Sequence, residues 1–166
     1  VVHMGEEATG LRPLYDALKE TDIPPAQVLP THCGRSASLL DEATEWALRG
    51  GCLDITTSGG GSRSGTSLDA PDAVGRCLEA GVPVERISMS TDGNGSLPSF
   101  NERMEFIGMG VGNPASLRET MAELALRRAL PLEHALALCT RNPARRMRLP
   151  GKGELTIGAD ADILVL

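Results

Sequence analysis

Between Val1 and Asp92, strand-length apolar segments alternate with helix-length amphipathic ones, and this alternation leaves few folds open. Strands that succeed one another through a helix run parallel in a sheet, with the helices covering its face. The expected strands are "VVHM", "QVLPTH", "CLDITTS" and "RISMSTD". Between them, helices are expected over Gly10–Thr21, Ser36–Arg49 and Pro71–Ala80. Leu11, Leu14, Tyr15 and Leu18 share one face of the first. Gly50 and Gly51 end the second as a C-terminal cap does. The order is β-α-β-α-β-α-β.

Beyond Asp92 the pattern changes. A long loop, "GNGSLPSFNERMEFIGMGVGNP", is expected to lead into helices over Ala115–Ala129 and Leu132–Cys139. A short helix over Pro143–Met147 follows, with Asn142 as its N-cap and Pro143 in its first position. The closing "GKGELTIGADADILVL" is turn-rich and then β-prone, as a strand leaving to join another sheet would be. No start methionine opens the chain, and an apolar run closes it, so a part of a longer protein is expected. Four βα units are half of the eight in a closed barrel of ~250 residues. The expected architecture is therefore α/β. Residues 1–148 form about the second half of a (β/α)8 TIM barrel, and 149–166 begin a return to a second domain.

Composition narrows the partners. The net charge of -6, with 22 acidic and 16 basic residues and no charge runs, offers no basic field to nucleic acid or anionic lipid. No apolar run approaches the ~18 residues of a membrane span, and no signal-like start is present. A cytoplasmic location is expected. Cys33, Cys52, Cys77 and Cys139 lack C-x-x-C spacing and read as reduced core or near-core thiols. The serine- and glycine-rich "SGGGSRSG" loop lacks the Lys-Ser/Thr ending of a P-loop.

His3, His32 and Asp92 each close an expected strand, so in a parallel sheet all three emerge on one rim. One strand-end histidine reads first as structural. Two imidazoles and a carboxylate on a shared rim suit a divalent ion such as zinc, with positions left for water and substrate. Arg35, three residues past His32, presents a guanidinium fork able to grip a carboxylate, or a solvated loop residue. Ser96, in the "GNGS" turn, either reaches the same site or shapes the turn. His134 reads as a helix residue, and Arg141, Arg145, Arg146 and Arg148 as a solvated helix face.

Taken together, "VVHMG", "LPTHCGR", "STDGNGS" and the tail "NPARRMRLPGKGELTIGADADILVL" resemble the second half of the bacterial isoaspartyl dipeptidases, in the amidohydrolase superfamily. The resemblance runs nearly end to end. It implies a (β/α)8 barrel with a binuclear zinc centre, a small β-sandwich domain to which the C-terminal strand belongs, and hydrolysis of β-aspartyl dipeptides. On that pattern His3, His32 and Asp92 match metal ligands, and Asp92 also carries the catalytic proton. Arg35 matches a residue that holds a substrate carboxylate, and Ser96 one that contacts substrate. The family's strand-one His-x-His pair and its bridging carboxylated lysine have no counterpart in this chain. A homo-oligomer is expected of the complete enzyme. The rival expectations are a dihydroorotase- or hydantoinase-like cyclic-amide hydrolase and a non-catalytic half-barrel.

Overall fold

The computed structural model describes residues 1–58, 67–103 and 105–164. The glycine-serine loop expected after the third strand falls largely at 59–66, outside the described residues. The order is β1 (Val2–His3), α1 (Arg12–Lys19), β2 (Pro30–Thr31), α2 (Ala37–Leu48), β3 (Leu53–Thr56), α3 (Ala70–Glu79), β4 (Ile87–Ser90), β5 (Ser96–Phe100), β6 (Phe106–Val111), α4 (Ser116–Leu126), α5 (Leu132–Cys139) and α6 (Arg141–Arg146). β1 pairs with β2 and β3 with β4, both in parallel, as the alternation requires.

Side chains on β3 and β4 sort by the two-residue period of a strand. Leu53, Ile55, Ile87 and Met89 are buried in one apolar cluster with Leu40, Ala43 and Trp46 of α2 and Val74 and Cys77 of α3. Asp54, Thr56, Ser88 and Ser90 alternate with them and occupy the opposite face. One face of each strand is thus spent on the helices, and the other is polar.

α2 begins where Ser36 accepts a hydrogen bond from the Leu39 amide at 3.2 Å, which satisfies one of the free donors of the first turn. It ends before Gly50, whose φ of +106° no other residue adopts readily. A Cβ on the adjacent Gly51 would run into the indole of Trp46.

Several expectations require correction. The long loop after Asp92 holds an antiparallel hairpin, β5–β6, closed by Asn101, whose Oδ1 accepts from the amides of Arg103 and Glu105. Its pattern is diluted by Pro98, Gly108 and Gly110, which depress strand propensity. Next, α6 begins at Arg141, so Asn142 lies inside it, 1 % exposed, and does not cap it. Finally, Arg146 is tucked against the Cys52 thiol, with Nη1 2.9 Å from Sγ, and Arg145 pairs with Glu154, so this is not a uniformly solvated face.

The strand expected near the C-terminus is not formed in the described residues: 149–164 are turns and irregular chain, and 165–166 lie outside the described residues. Leu155, Ile157, Ile163 and Leu164 are exposed, and among the described residues no strand pairs with this segment. His134 lies in α5, as expected. The four cysteines are unpaired, and Cys33, Cys52 and Cys77 are buried. Among the described residues, no helix is long and apolar enough to cross a membrane.

Asn142 instead acts as a cross-brace. Its side-chain amide donates to the carbonyls of Val84 and Ile87, both at 2.8 Å, and so fastens α6 to the start of β4. Asn142→Ala strands two buried acceptors and is expected to destabilise the chain by about 1–3 kcal/mol. A drop in the urea midpoint at unchanged slope checks this.

Candidate active site

The polar rim forms where β1, β2 and β4 end. His3 is the last residue of β1 and His32 the first after β2. His3 Nδ1 and His32 Nε2 stand in hydrogen-bond contact at 2.8 Å. The other ring nitrogen of His32, Nδ1, lies 2.7 Å from Thr56 Oγ1 on β3, which fixes how the ring is turned. Burial pushes the His32 imidazole below its ordinary pKa of 6.5; the Arg35 guanidinium works in the same direction, Asp92 opposes it, His3 adds to the lowering, and Asp54 opposes it. His32 is thereby held neutral near pH 7, with a lone pair to offer.

A lowered histidine pKa carries a definite sign. Below pH 6.5 the unfolded chain takes up a proton that folded His32 resists. Stability is therefore full above 6.5, declines as pH falls through 6.5, and levels off below the lowered folded value. In metal-free protein, urea midpoints across this range are expected to fall for the wild type and to fall less for His32→Asn.

Asp92 stands two residues past β4, at φ +50°, and His32 has φ +65°. Non-glycine residues at positive φ are uncommon, and they concentrate where a site needs a side chain re-aimed. Around Asp92 the backbone is closely packed. The Gly95 amide donates to its carbonyl at 2.9 Å, and a Cβ on Gly95 would come within 2.7 Å of that oxygen and 3.0 Å of Asp92 Oδ1. Gly95 is what lets the turn close on the aspartate.

His32, Arg35, Thr56, Thr57, Asp92 and Leu97 line one cavity of about 280 Å³. An adjacent cavity of about 300 Å³ is lined by Gly5, Glu6, Glu7, Arg35, Ser96, Leu97 and Pro98. Arg35 and Leu97 form the wall common to both. Ser96 therefore faces the second space, and Asp92 the first. Arg35 Nη1 donates to the Met4 carbonyl at 3.0 Å, tying the guanidinium to the residue after His3.

Two nitrogens bound to one tetrahedral zinc at ~2.0–2.1 Å stand about 3.3 Å apart, so the histidine pair, in direct contact at 2.8 Å, would part by about half an ångström to take an ion. The neutral His32 and its Thr56 support also fit a metal ligand. Asp92 shares the cavity with His32 but is not gathered with the pair: among the described residues, no group of three His, Cys, Asp or Glu side chains is placed to hold an ion. The donor set thus fits two positions of a zinc site.

Sequence reasoning missed Thr56 and Asp54. Both lie in "LDIT", where the two-residue period sets them on one face, but nothing in that segment shows which histidine or hydroxyl comes across to meet them.

A βαβ architecture with two histidines and an aspartate at its strand ends puts reactive side chains where α/β enzymes place their chemistry. A model of the amidohydrolase family matches residues 63–166, well over half of the chain, and the chain belongs to that family. It is similar to a β-aspartyl dipeptidase from Fervidobacterium islandicum AW-1 solved in complex with β-Asp-Leu dipeptide, with 34 % identity and a TM-score of 0.82 over 96 % of this chain and 40 % of that one. A second structure of β-aspartyl dipeptidase from that organism aligns at 30 % identity and a TM-score of 0.75, over 96 % of this chain and 38 % of its own. An allantoinase of Deinococcus radiodurans is 34 % identical over 82 residues, 48 % of this chain and 18 % of its own length. The chain thus spans well under half the length of these relatives.

Proposed function

We propose that this chain carries the second half of the barrel of a metal-dependent isoaspartyl dipeptidase, an enzyme that hydrolyses β-aspartyl dipeptides. The observation that carries this reading is that His32, Arg35 and Asp92 line one cavity, with His3 in contact with His32. The likeness to β-aspartyl dipeptidase structures, one of them holding β-Asp-Leu, supports the substrate.

His3 and His32 would hold zinc, and His32 is pre-turned for the task by Thr56. When bound, zinc polarises a carbonyl and lowers the pKa of water toward ~7. Asp92 receives the proton of the attacking water on a carboxylate oxygen and passes it to the leaving amine nitrogen. Arg35 directs its free donors at a substrate carboxylate, and Ser96 contacts the substrate from the adjoining cavity. The remaining metal ligands and the β-sandwich domain belong to the complete enzyme, which works in the cytoplasm as a homo-oligomer.

The test assays the chain with and without an upstream half-barrel, in zinc, against β-Asp-Leu and α-Asp-Leu. Turnover of β-Asp-Leu alone, and only in the complete barrel, is expected. The allantoinase match favours a second reading, hydrolysis of a cyclic amide. Turnover of allantoin with β-Asp-Leu untouched would establish that reading instead.

A further inference from the structure

We propose that Asp54 is a positioning residue: its buried carboxylate, set in the seam between the two parallel strand pairs, fixes where His32 stands relative to Asp92. This rests on the reading that His32 and Asp92 serve one site. The two residues belong to different sheets. His3 and His32 are carried by the β1–β2 pair and Asp92 by the β3–β4 pair, and among the described residues no backbone ladder joins β2 to β3. Side chains must therefore hold the seam.

Asp54 is placed to do this. Its Oδ2 accepts from Thr31 Oγ1 of β2 and from Ser90 Oγ of β4, both at 2.6 Å, and its Oδ1 accepts from Ser88 Oγ at 2.8 Å. Thr31 immediately precedes His32, and Ser90 stands two residues before Asp92. One rigid planar group thus holds both routes into the site. Asp54, Thr31 and Ser88 are all buried.

A carboxylate taken out of water costs free energy that an apolar side chain would not, even when hydrogen bonds offset it. Leu53 and Ile55, its neighbours on the strand, point to the helix-side core, while Asp54 lies on the opposite face among the hydroxyls of Thr31, Ser88 and Ser90. What the carboxylate adds is direction, since three donors from two strands converge on atoms of fixed geometry. His32 has use for such direction, because its backbone sits at φ +65°, an uncommon region for a residue with a side chain.

The experiment compares Asp54→Asn, which keeps the shape but offers one acceptor oxygen, with Thr31→Val, which removes only the hydroxyl crossing the seam. Thr31→Ser restores that hydroxyl. Leu124→Ala, in the core on α4, is a control for general destabilisation. Ring ¹H–¹⁵N correlations of His32 are recorded on the metal-free chain, and zinc affinity is titrated separately. Asp54→Asn and Thr31→Val are expected to displace the His32 ring signals and to weaken zinc binding by about 10- to 100-fold. Thr31→Ser should behave as wild type, and Leu124→Ala should leave both readouts in place.

Unchanged ring signals in Asp54→Asn and Thr31→Val would overturn the proposal, and so would equal changes in Leu124→Ala. If Asp54→Asn does not fold, the contrast between Thr31→Val and Thr31→Ser decides. A wild-type chain that binds no zinc would count against the metal reading alone, and the ring signals of the metal-free protein would still judge Asp54.

Discussion

Asp92→Asn is expected to lower kcat on β-Asp-Leu by about 10²- to 10⁴-fold in a complete enzyme containing this chain, the range that a positioned proton carrier contributes. Asparagine is the informative replacement. It keeps the shape of aspartate, tolerates the positive φ of 50° found there, and leaves Gly95 its close approach to the Asp92 carbonyl. Folding should therefore be little altered, and the loss should appear in turnover. The measurement pairs steady-state kinetics with zinc content. Zinc retained with turnover lost isolates the proton role, and zinc lost as well makes the carboxylate a ligand too. Near-normal turnover would remove Asp92 from the chemistry altogether.

Replacing Arg35 should be nearly as damaging, but in kcat/KM. Truncating one partner of a two-pronged guanidinium–carboxylate contact in a partly closed site costs about 2–5 kcal/mol. At ~1.4 kcal/mol per factor of ten, Arg35→Met should lose about thirtyfold to several thousandfold on β-aspartyl dipeptides. The structure adds a complication. Nη1 already donates to the Met4 carbonyl, next to His3, so the methionine variant also releases that brace. Arg35→Lys separates the two roles, because lysine keeps a charged donor but not the fork. Lysine is expected to restore zinc content without restoring kcat/KM. If Arg35→Met kept near-full kcat/KM, the carboxylate grip would have to be given up.

The rim was legible from order along the chain. His3, His32 and Asp92 each follow a short apolar run, and parallel strands bring such ends to one side whatever the details of the helices. The brace beneath the rim was not. That Thr56 meets His32, and that Thr31 and Ser90 both reach Asp54, depends on how neighbouring strands are staggered, which no single strand encodes. Local competition hid other features. Proline and glycine masked the β5–β6 hairpin, whose pairing supplies what propensity lacks. Asn142 precedes a proline, as a cap should, yet its amide finds better acceptors across the core on Val84 and Ile87.

The chain's single tryptophan has a consequence of its own. Trp46 is 1 % exposed, and the ring of Tyr15 meets it edge-on at 5.3 Å between centroids. Tyr15 belongs to α1, a helix with no buried residue of its own. Light absorbed by the tyrosine passes readily to the indole at this range, so emission from Trp46 under tyrosine excitation reports whether α1 is seated. Detachment of that helix would dim the transferred signal, while the indole would keep its contacts with the rest of the apolar cluster. General unfolding would redden the indole emission. Two colours of excitation on the unlabelled protein thus separate fraying of one edge from collapse of the whole.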